Sequence, residues 1–306
     1  MFPPSGVGVS RLRFFFKKIM SAIGLIGPKW AFLNFRRRQR TLPGFRLSMG
    51  FTLFYLGTIV LIPLIALCIR PWSLGFDGFW AAISTPRVLA SLRLSFGMAA
   101  VAAAIDSVFG FIISWVLVRY RFPGHRLFDA LIDLPFALPT AVAGIALSTL
   151  YAPNGWLGSL LVPYGIKIAY TPWGVLVAMT FIGLPFSVRS LQPVMAELGA
   201  DLEEAAATLG ATRLQTLGKV IIPMLLPAIL TGAAMAFARG VGEYGSIIFI
   251  AGNLPMVSEI TPLLIIIKLE QFDYAGAAAI GVLMLAASFV MLLAINGLQA
   301  WAQSRR

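Results

Sequence analysis

Long apolar stretches alternate with short polar breaks along most of the chain. The apolar runs cover residues 47–69, 94–118, 134–151, 173–188, 225–250 and 275–298. Each run reaches or approaches the roughly 20 residues that an α-helix needs to cross about 30 Å of hydrocarbon. The pattern therefore predicts six transmembrane helices joined by short loops, in an all-α, polytopic membrane protein.

The composition agrees with this pattern and excludes other classes of protein. Hydrophobic residues make up 59% of the 306 residues and charged residues only 12%, whereas soluble domains have about 25% charged residues. So few charges cannot cover the surface of a water-soluble domain of this length. A single cysteine, Cys68, excludes a scaffold held by internal disulfides.

Positive charge is concentrated at the beginning of the chain. The formal net charge is +12, and ten of the 24 Lys and Arg residues lie within residues 1–46, which contain no acidic residue. Two interpretations of this basic N-terminal arm stay open. It is a cytoplasmic segment that lies on anionic lipid headgroups, or it is a tail that only sets the topology.

The other basic residues orient the predicted spans. With the N-terminus inside, the inner segments 1–46, 119–133, 189–222 and 299–306 carry ten, three, three and two Lys and Arg residues, against five in the outer segments. Cytoplasmic loops carry the excess of positive charge, so both termini are expected in the cytoplasm. The charge therefore indicates topology, and nucleic acid is not an expected partner.

The inner segment 197–222 has the residues of two short helices. Gly210 stands where a C-cap glycine would end the first helix, Thr212 can N-cap the second, and Pro223 is expected to start the next span. The first helix has a negative face in an otherwise basic surface, which favours a docking helix for another protein. Its acidic residues are Glu197, Asp201, Glu203 and Glu204.

This segment resembles the EAA loop of ABC-importer permeases. The matching residues are Glu204, Ala205, Ala206, Gly210, the aliphatic stretch 220–222 and Pro223. In that family the loop forms a coupling helix that sits in a groove of the cytoplasmic ATPase subunit. The resemblance implies an ATPase-coupling role for these residues.

Within the family the chain is similar to the sulfate/thiosulfate permeases of the CysT type, over roughly residues 43–301. The stretches that carry this similarity are 119–124, 133–144, 242–253 and 270–274. The resemblance implies a type I importer (MetI-like) bundle. The arm at 1–46 would precede a permease domain at 47–301, with the EAA coupling loop at about 197–222.

The resemblance also implies a function and its partners. The chain is expected to be a non-catalytic permease subunit of the bacterial inner membrane that moves sulfate or thiosulfate by alternating access. Its expected partners are a homologous permease subunit, two cytoplasmic ATPase subunits, a periplasmic sulfate-binding protein and membrane lipid. The sequence has no G-x-x-x-x-G-K-[ST] motif, so ATP and Mg²⁺ are expected on the ATPase, with no cofactor or metal in this chain.

Two alternatives stay open. The first keeps the class of transporter and changes the cargo to another oxyanion, molybdate or tungstate. The second is a stand-alone secondary anion transporter, which would be expected to show inverted repeats and more polar residues within its spans.

Ionisable residues within the predicted spans are candidates for the pathway or for gating. Arg239 and Glu243 are four residues apart, so they can pair on one helix face. We favour a structural or gating latch over an anion-binding cation, because a paired guanidinium has less charge left for a ligand. Asp106 repels anions and is expected to hydrogen-bond within the bundle or to partner Arg239. His125 is expected to be solvated, and Cys68 to be a small apolar filler.

Overall fold

The computed structural model describes residues 45–199 and 201–304, and every regular element in this part of the chain is helical. This confirms the predicted all-α class. The predicted basic arm, 1–46, lies outside the described residues except for its last two positions, so its role stays a prediction. Described residues 45–67 and 290–304 form one compact unit, and residues 68–289 form another.

The helices follow the order of the predicted spans and add shorter elements between them. They are α1 (Phe45–Leu56), α2 (Ile62–Ile69), α3 (Gly75–Ile83), α4 (Pro86–Arg119), α5 (His125–Ile132), α6 (Leu134–Ala137), α7 (Thr140–Tyr151), α8 (Gly158–Leu161), α9 (Pro172–Glu197), α10 (Asp201–Thr208), α11 (Arg213–Thr216), α12 (Ile222–Val241), α13 (Ile247–Ile250), α14 (Thr261–Glu270) and α15 (Tyr274–Ser304). Two π-helical turns (Gly57–Leu61, Leu217–Ile221) and two 3₁₀ turns (Arg70–Leu74, Val162–Tyr164) connect some of them.

The first predicted span extends further than the apolar run. A π turn joins α1 to α2, and its last hydrogen bond runs from the Ile62 N–H to the Gly57 carbonyl. Pro63 follows at once, and the wider turn lets the helix continue past a residue that has no N–H to donate. The 3₁₀ turn and α3 then carry the helical run to Ile83, where the sequence predicted an end at residue 69.

Three long helices, α4, α9 and α12, form the centre of the larger unit. Small residues let their backbones approach closely. A Cβ added at Gly110 of α4 would lie 2.7 Å from the Ser187 Cβ of α9, and one added at Gly232 of α12 would lie 3.0 Å from the Ser187 Cα. Close contacts between small residues are the usual packing of transmembrane helices, because lipid tails supply no hydrophobic drive between them.

The third predicted span, 134–151, is not one helix, and this corrects the expectation of six single-helix spans. Leu138 has an extended backbone (φ −84°, ψ 135°) between α6 and α7. Pro139 follows it, and a proline ring disfavours the helical conformation of the residue before it. The 12 residues of α7 reach only about 18 Å. Among the described residues, five helical runs are long and apolar enough to cross a membrane.

The fifth predicted span also has different ends. The helix is continuous from Arg213 to Val241, so it begins before the predicted residue 225 and ends before residue 250. Residues 242–246 interrupt the helix, and α13 is a separate short helix after this break. Pro223 therefore does not start a separate span. It follows a π turn in which the Ile222 N–H donates to the Leu217 carbonyl, as at Pro63.

Candidate functional site: the coupling segment and the buried charges

The end of α10 is built by Gly210. Its backbone lies in the left-handed region (φ +79°). The Gly210 N–H donates to the Ala207 carbonyl and the Ala211 N–H donates to the Ala206 carbonyl, both at 3.0 Å. These two bonds are the Schellman motif, which satisfies carbonyls left free at a helix end. The predicted C-cap glycine is confirmed.

The start of α11 is held by a capping box. The Gln215 N–H donates to Thr212 Oγ1 (3.4 Å), and the Thr212 N–H donates to Gln215 Oε1 (2.9 Å). Each side chain thus satisfies a backbone donor of the other residue at the helix start. The predicted N-cap residue, Thr212, is confirmed. Only Ala211 separates it from the cap glycine, so the turn between the two helices is short and defined.

Arg119 fastens this segment to the end of α4. Its Nη2 lies 2.8 Å from Glu203 Oε1 and donates to the Leu198 carbonyl at 2.9 Å. The guanidinium carbon also lies over the Trp115 ring, 5.6 Å from its centroid. The pairing neutralises one carboxylate of the predicted negative face. Sequence reasoning did not find it, because 84 positions separate the two charged residues.

The surface turned away from the bundle is apolar as well as acidic. Ala206 is buried, whereas Glu204 and Ala205 are exposed. Two leucines beside the turn are almost fully exposed, Leu209 at 88% and Leu214 at 81%. We call Glu204, Ala205, Leu209, Gly210 and Leu214 the coupling tip. Behind it, a groove of about 760 Å³ runs between α4 and the α10–α12 segment.

A second ion-pair cluster, absent from the sequence predictions, lies at Arg189 of α9. The guanidinium donates to both carboxylate oxygens of Asp133 (2.9 and 2.6 Å), to Asp129 Oδ1 (2.7 Å) and to Gln192 Oε1 (2.5 Å). Its Nη2 also donates to the Asp129 carbonyl. The hydrogen bond from Arg189 holds the pKa of Asp129 below its usual range, against the opposing effect of partial burial. The cluster ties α5 and α6 to α9.

Arg239 and Glu243 form the predicted ion pair, with Arg239 Nη1 2.6 Å from Glu243 Oε2. The other carboxylate oxygen accepts from the N–H and the hydroxyl of Ser246, at 2.9 and 3.0 Å. The expectation that both residues share one helix face is wrong, since α12 ends at Val241 and Glu243 lies in the break that follows. Glu243 is 2% exposed, so the pair holds the break against the end of α12.

Asp106 is fully buried in α4, and its two carboxylate oxygens have no hydrogen-bond partner among the described residues. Both expectations for Asp106 are therefore wrong for the described residues: it makes no hydrogen bond within the bundle, and Arg239 pairs with Glu243 instead. A Cβ added at Gly183 of α9 would overlap the Asp106 carboxylate. The carboxyl group therefore sits directly against the α9 backbone, at a position that only glycine leaves open.

His125 and Cys68 differ from their expected environments. His125 is half-buried, and its Nε2 lies 2.7 Å from the Leu117 carbonyl, so it is held by the end of α4 rather than simply solvated. Cys68 is exposed and lines a cavity instead of filling one. In the part of the chain that the structure describes, no three His, Cys, Asp or Glu residues stand close enough to hold a metal ion.

Comparison with known proteins gives consistent results. Residues 106–306 match the family model of the binding-protein-dependent transport system inner membrane component. The chain is 48% identical over 262 residues to the sulfate transport system permease protein CysT of Salmonella typhimurium. This alignment covers 86% of this chain and 95% of the relative. It is 51% identical over 255 residues to the CysT protein of Synechococcus elongatus, covering 83% and 92%.

The fold has a counterpart among solved structures. A bacterial alginate ABC transporter, solved in complex with an alginate pentasaccharide-bound periplasmic protein, aligns with a TM-score of 0.67. The match covers 83% of this chain and 92% of that chain, at 16% identity. Identity at this level shows likeness of fold alone. The family is shown by the sequence identity to the permease relatives.

Proposed function

This chain belongs to the inner membrane components of binding-protein-dependent transport systems, and on that premise we propose that it is the membrane-spanning permease subunit of an ATP-driven sulfate importer. It is a membrane-embedded, non-catalytic subunit. The cargo is proposed from the relatives named sulfate permeases, which are about half identical over more than four fifths of the chain. Thiosulfate is the second proposed substrate, because it is a dianion of similar shape.

The coupling tip carries the proposal. Two leucines and a carboxylate beside a short capped turn are exposed, and exposed apolar side chains of this kind fit a partner's pocket. We propose that Leu209 and Leu214 enter the cytoplasmic ATPase subunit and that Glu204 and Ala205 lie against its surface. ATP and Mg²⁺ would bind to that subunit.

Movement of the tip can reach the core through rigid elements. On one side, α11 continues through the π turn into α12 without a break. On the other side, Arg119 of α4 pairs with Glu203 of α10 and donates to the carbonyl of Leu198, the residue that follows α9. Closure of the ATPases would thus displace three central helices together, which is what alternating access requires.

The remaining partners and the location follow from this assignment. We propose a second, homologous permease subunit, two ATPase subunits and a periplasmic sulfate-binding protein, in the bacterial inner membrane. The complex with a periplasmic protein formed by the structurally similar alginate transporter supports the last of these partners. Both chain termini would lie in the cytoplasm, on the same side as the coupling tip.

We further propose that the anion is held weakly along its path. Arg239 lies in the last turn of α12, and its charge is balanced by Glu243. The pair therefore acts as a latch between α12 and the break at 242–246. Asp106 is fully buried where α4 packs against Gly183 of α9, so it offers no exposed surface to a passing anion. Backbone groups near the helix breaks would then offer transient hydrogen bonds to the passing anion.

Uptake by the reconstituted transporter tests the function. The chain is assembled with its ATPase, partner permease and binding protein in proteoliposomes, and uptake of radiolabelled sulfate is measured with and without internal ATP. Uptake should require ATP and the binding protein, and thiosulfate should compete more strongly than molybdate or tungstate. Stronger competition by molybdate or tungstate would change the cargo. Uptake that persists without ATP and without the ATPase would support a secondary transporter and overturn the proposal.

A further inference from the structure

A partly open apolar cavity lies beside the 3₁₀ turn that follows α2. Its volume is about 300 Å³, and its walls include Cys68, Pro71, Trp72, Phe76, Phe79 and Val282. This volume is at the lower end of the range for small-molecule sites in proteins. None of these side chains is charged, and the only polar atom among their side-chain heavy atoms besides the Cys68 sulfur is the indole nitrogen of Trp72. The cavity therefore suits a hydrocarbon chain.

A second, polar cavity of about 400 Å³ begins at the neighbouring residues of the same turn. It is lined by Arg70, Ser73, Phe272, Asp273 and Tyr274. The guanidinium carbon of Arg70 lies 5.9 Å from the centroid of the Tyr274 ring. Because residues 70 and 73 line one cavity and residues 71 and 72 line the other, the two cavities share the wall formed by the turn.

The charge of this polar cavity is positive. Asp273 is the acidic residue of its wall, but Asp273 Oδ2 accepts from Lys268 Nζ at 2.9 Å and Oδ1 accepts from the Gly276 N–H at 2.8 Å. The hydrogen bond from Lys268 is the main cause that lowers the pKa of Asp273, so this carboxylate is ionised and already balanced. Arg70 has no ion-pair partner among the described residues, and Asp77 lines neither cavity.

We propose that the two cavities together bind one anionic phospholipid, with an acyl chain between Trp72 and Phe79 and the phosphate on Arg70. A guanidinium matches two phosphate oxygens at once, and the turn places it at the end of a membrane span, where lipid headgroups lie. A free inorganic anion would use Arg70 but would leave the apolar cavity empty. The adjacent pair of cavities therefore favours a lipid over a soluble anion.

Native mass spectrometry of the assembled transporter tests this site. The complex is purified from bilayers that contain phosphatidylglycerol and phosphatidylcholine, and the lipid retained on the permease is identified. We expect phosphatidylglycerol to be retained in preference. Arg70→Gln should weaken its retention about fivefold, the size of one basic residue at a lipid surface. Arg93→Gln is the matched control, because Arg93 is also exposed and lines neither cavity; it should leave retention unchanged.

Cys68 gives an independent measurement on the folded protein. It is the single cysteine of the chain, so a cysteine-free background of the partner subunits makes alkylation specific to the cavity wall. Phosphatidylglycerol should slow the alkylation of Cys68, and a bulky maleimide already attached there should prevent lipid retention. Equal retention in the Arg70 and Arg93 variants would overturn the proposal, as would alkylation that lipid does not slow. Protection of Cys68 by sulfate alone would assign Arg70 to a soluble anion instead.

Discussion

Replacement of Gly210 by alanine separates backbone strain from steric contact in the coupling segment. Gly210 adopts φ +79°, and a Cβ built there meets no atom within 4 Å. The added methyl group therefore has room, and its whole cost arises from the left-handed backbone that L-residues avoid. The variant leaves the two leucines and the one carboxylate of the coupling tip unchanged.

The cost follows from this conformation. A non-glycine residue in the left-handed region loses about 1–2 kcal/mol, and nothing in the surroundings of Gly210 offsets it. Such a loss changes the local equilibrium between a formed and a frayed end of α10 by a factor of about 5–30. Gly210→Asn should cost less, because asparagine enters this region more readily than alanine.

Gly218 provides the matched control. It also has no atom within 4 Å of an added Cβ, but it lies within the π turn of the same segment and has no left-handed φ. Gly218→Ala is therefore the same chemical change without the strain. Because alanine favours a helix more than glycine does, this change should not weaken the segment.

The assay is the ratio of sulfate imported to ATP hydrolysed in proteoliposomes, at equal abundance of the assembled complex. We expect Gly210→Ala to lower this ratio severalfold, Gly210→Asn to lower it less, and Gly218→Ala to leave it unchanged. If Gly210→Ala and Gly218→Ala give the same ratio, the cap does not contribute to coupling, and the reasoning from its geometry fails.

Three further predictions concern the charged residues. Arg189 lowers the pKa of Asp129, so Asp129 contributes stability above its unfolded pKa of about 4. This contribution is lost as the pH falls through the lowered pKa of the folded state. Asp129→Asn should therefore flatten the acid side of the curve of stability against pH for the purified complex, and an unchanged curve would contradict the assignment. Asp106→Asn keeps the shape of a side chain that has no hydrogen-bond partner, so this variant should be as abundant as the wild-type protein by quantitative immunoblot. In Gly183→Ala the added methyl group overlaps Asp106, so this variant should be less abundant. Equal abundance of the two variants would refute the close contact. Glu243→Gln leaves Arg239 without its charge partner. Because the Arg239 side chain is only partly buried (34% exposed), the change should cost about 1–3 kcal/mol of stability. This cost is expected as a lower melting temperature, and an unchanged melting temperature would show that the pair is not a latch.

Local features of this protein follow from its sequence alone. The long apolar runs predict helices because the transfer of side chains into hydrocarbon depends on composition within a window of about 20 residues. Gly210 and Thr212 predict the two caps because the Schellman motif and the capping box involve residues at most five positions apart. The same holds for the Arg239–Glu243 pair, which forms even though the helix ends between its two members.

The other ion pairs depend on the tertiary structure. Arg87 donates to both carboxylate oxygens of the buried Glu259, at 2.8 and 2.6 Å, across 172 positions of sequence. The ion pair of Arg189 with Asp133 joins residues that are 56 positions apart. No periodicity indicates such partners, because the energy of an ion pair depends on a distance of a few ångströms in space and hardly on separation along the chain.

Asp106 shows the same division most clearly. The sequence determined that a carboxyl group stands within an apolar span, which predicted a role in the bundle. The packing of α4 against α9 places this carboxyl group against the backbone at Gly183, where no cation pairs with it. The sequence alone did not indicate this. Hydropathy, helix caps and topology signals are properties of neighbouring residues, so the sequence determines them. Which helix faces meet, and which charges they bring together, is decided by the packing of the whole bundle.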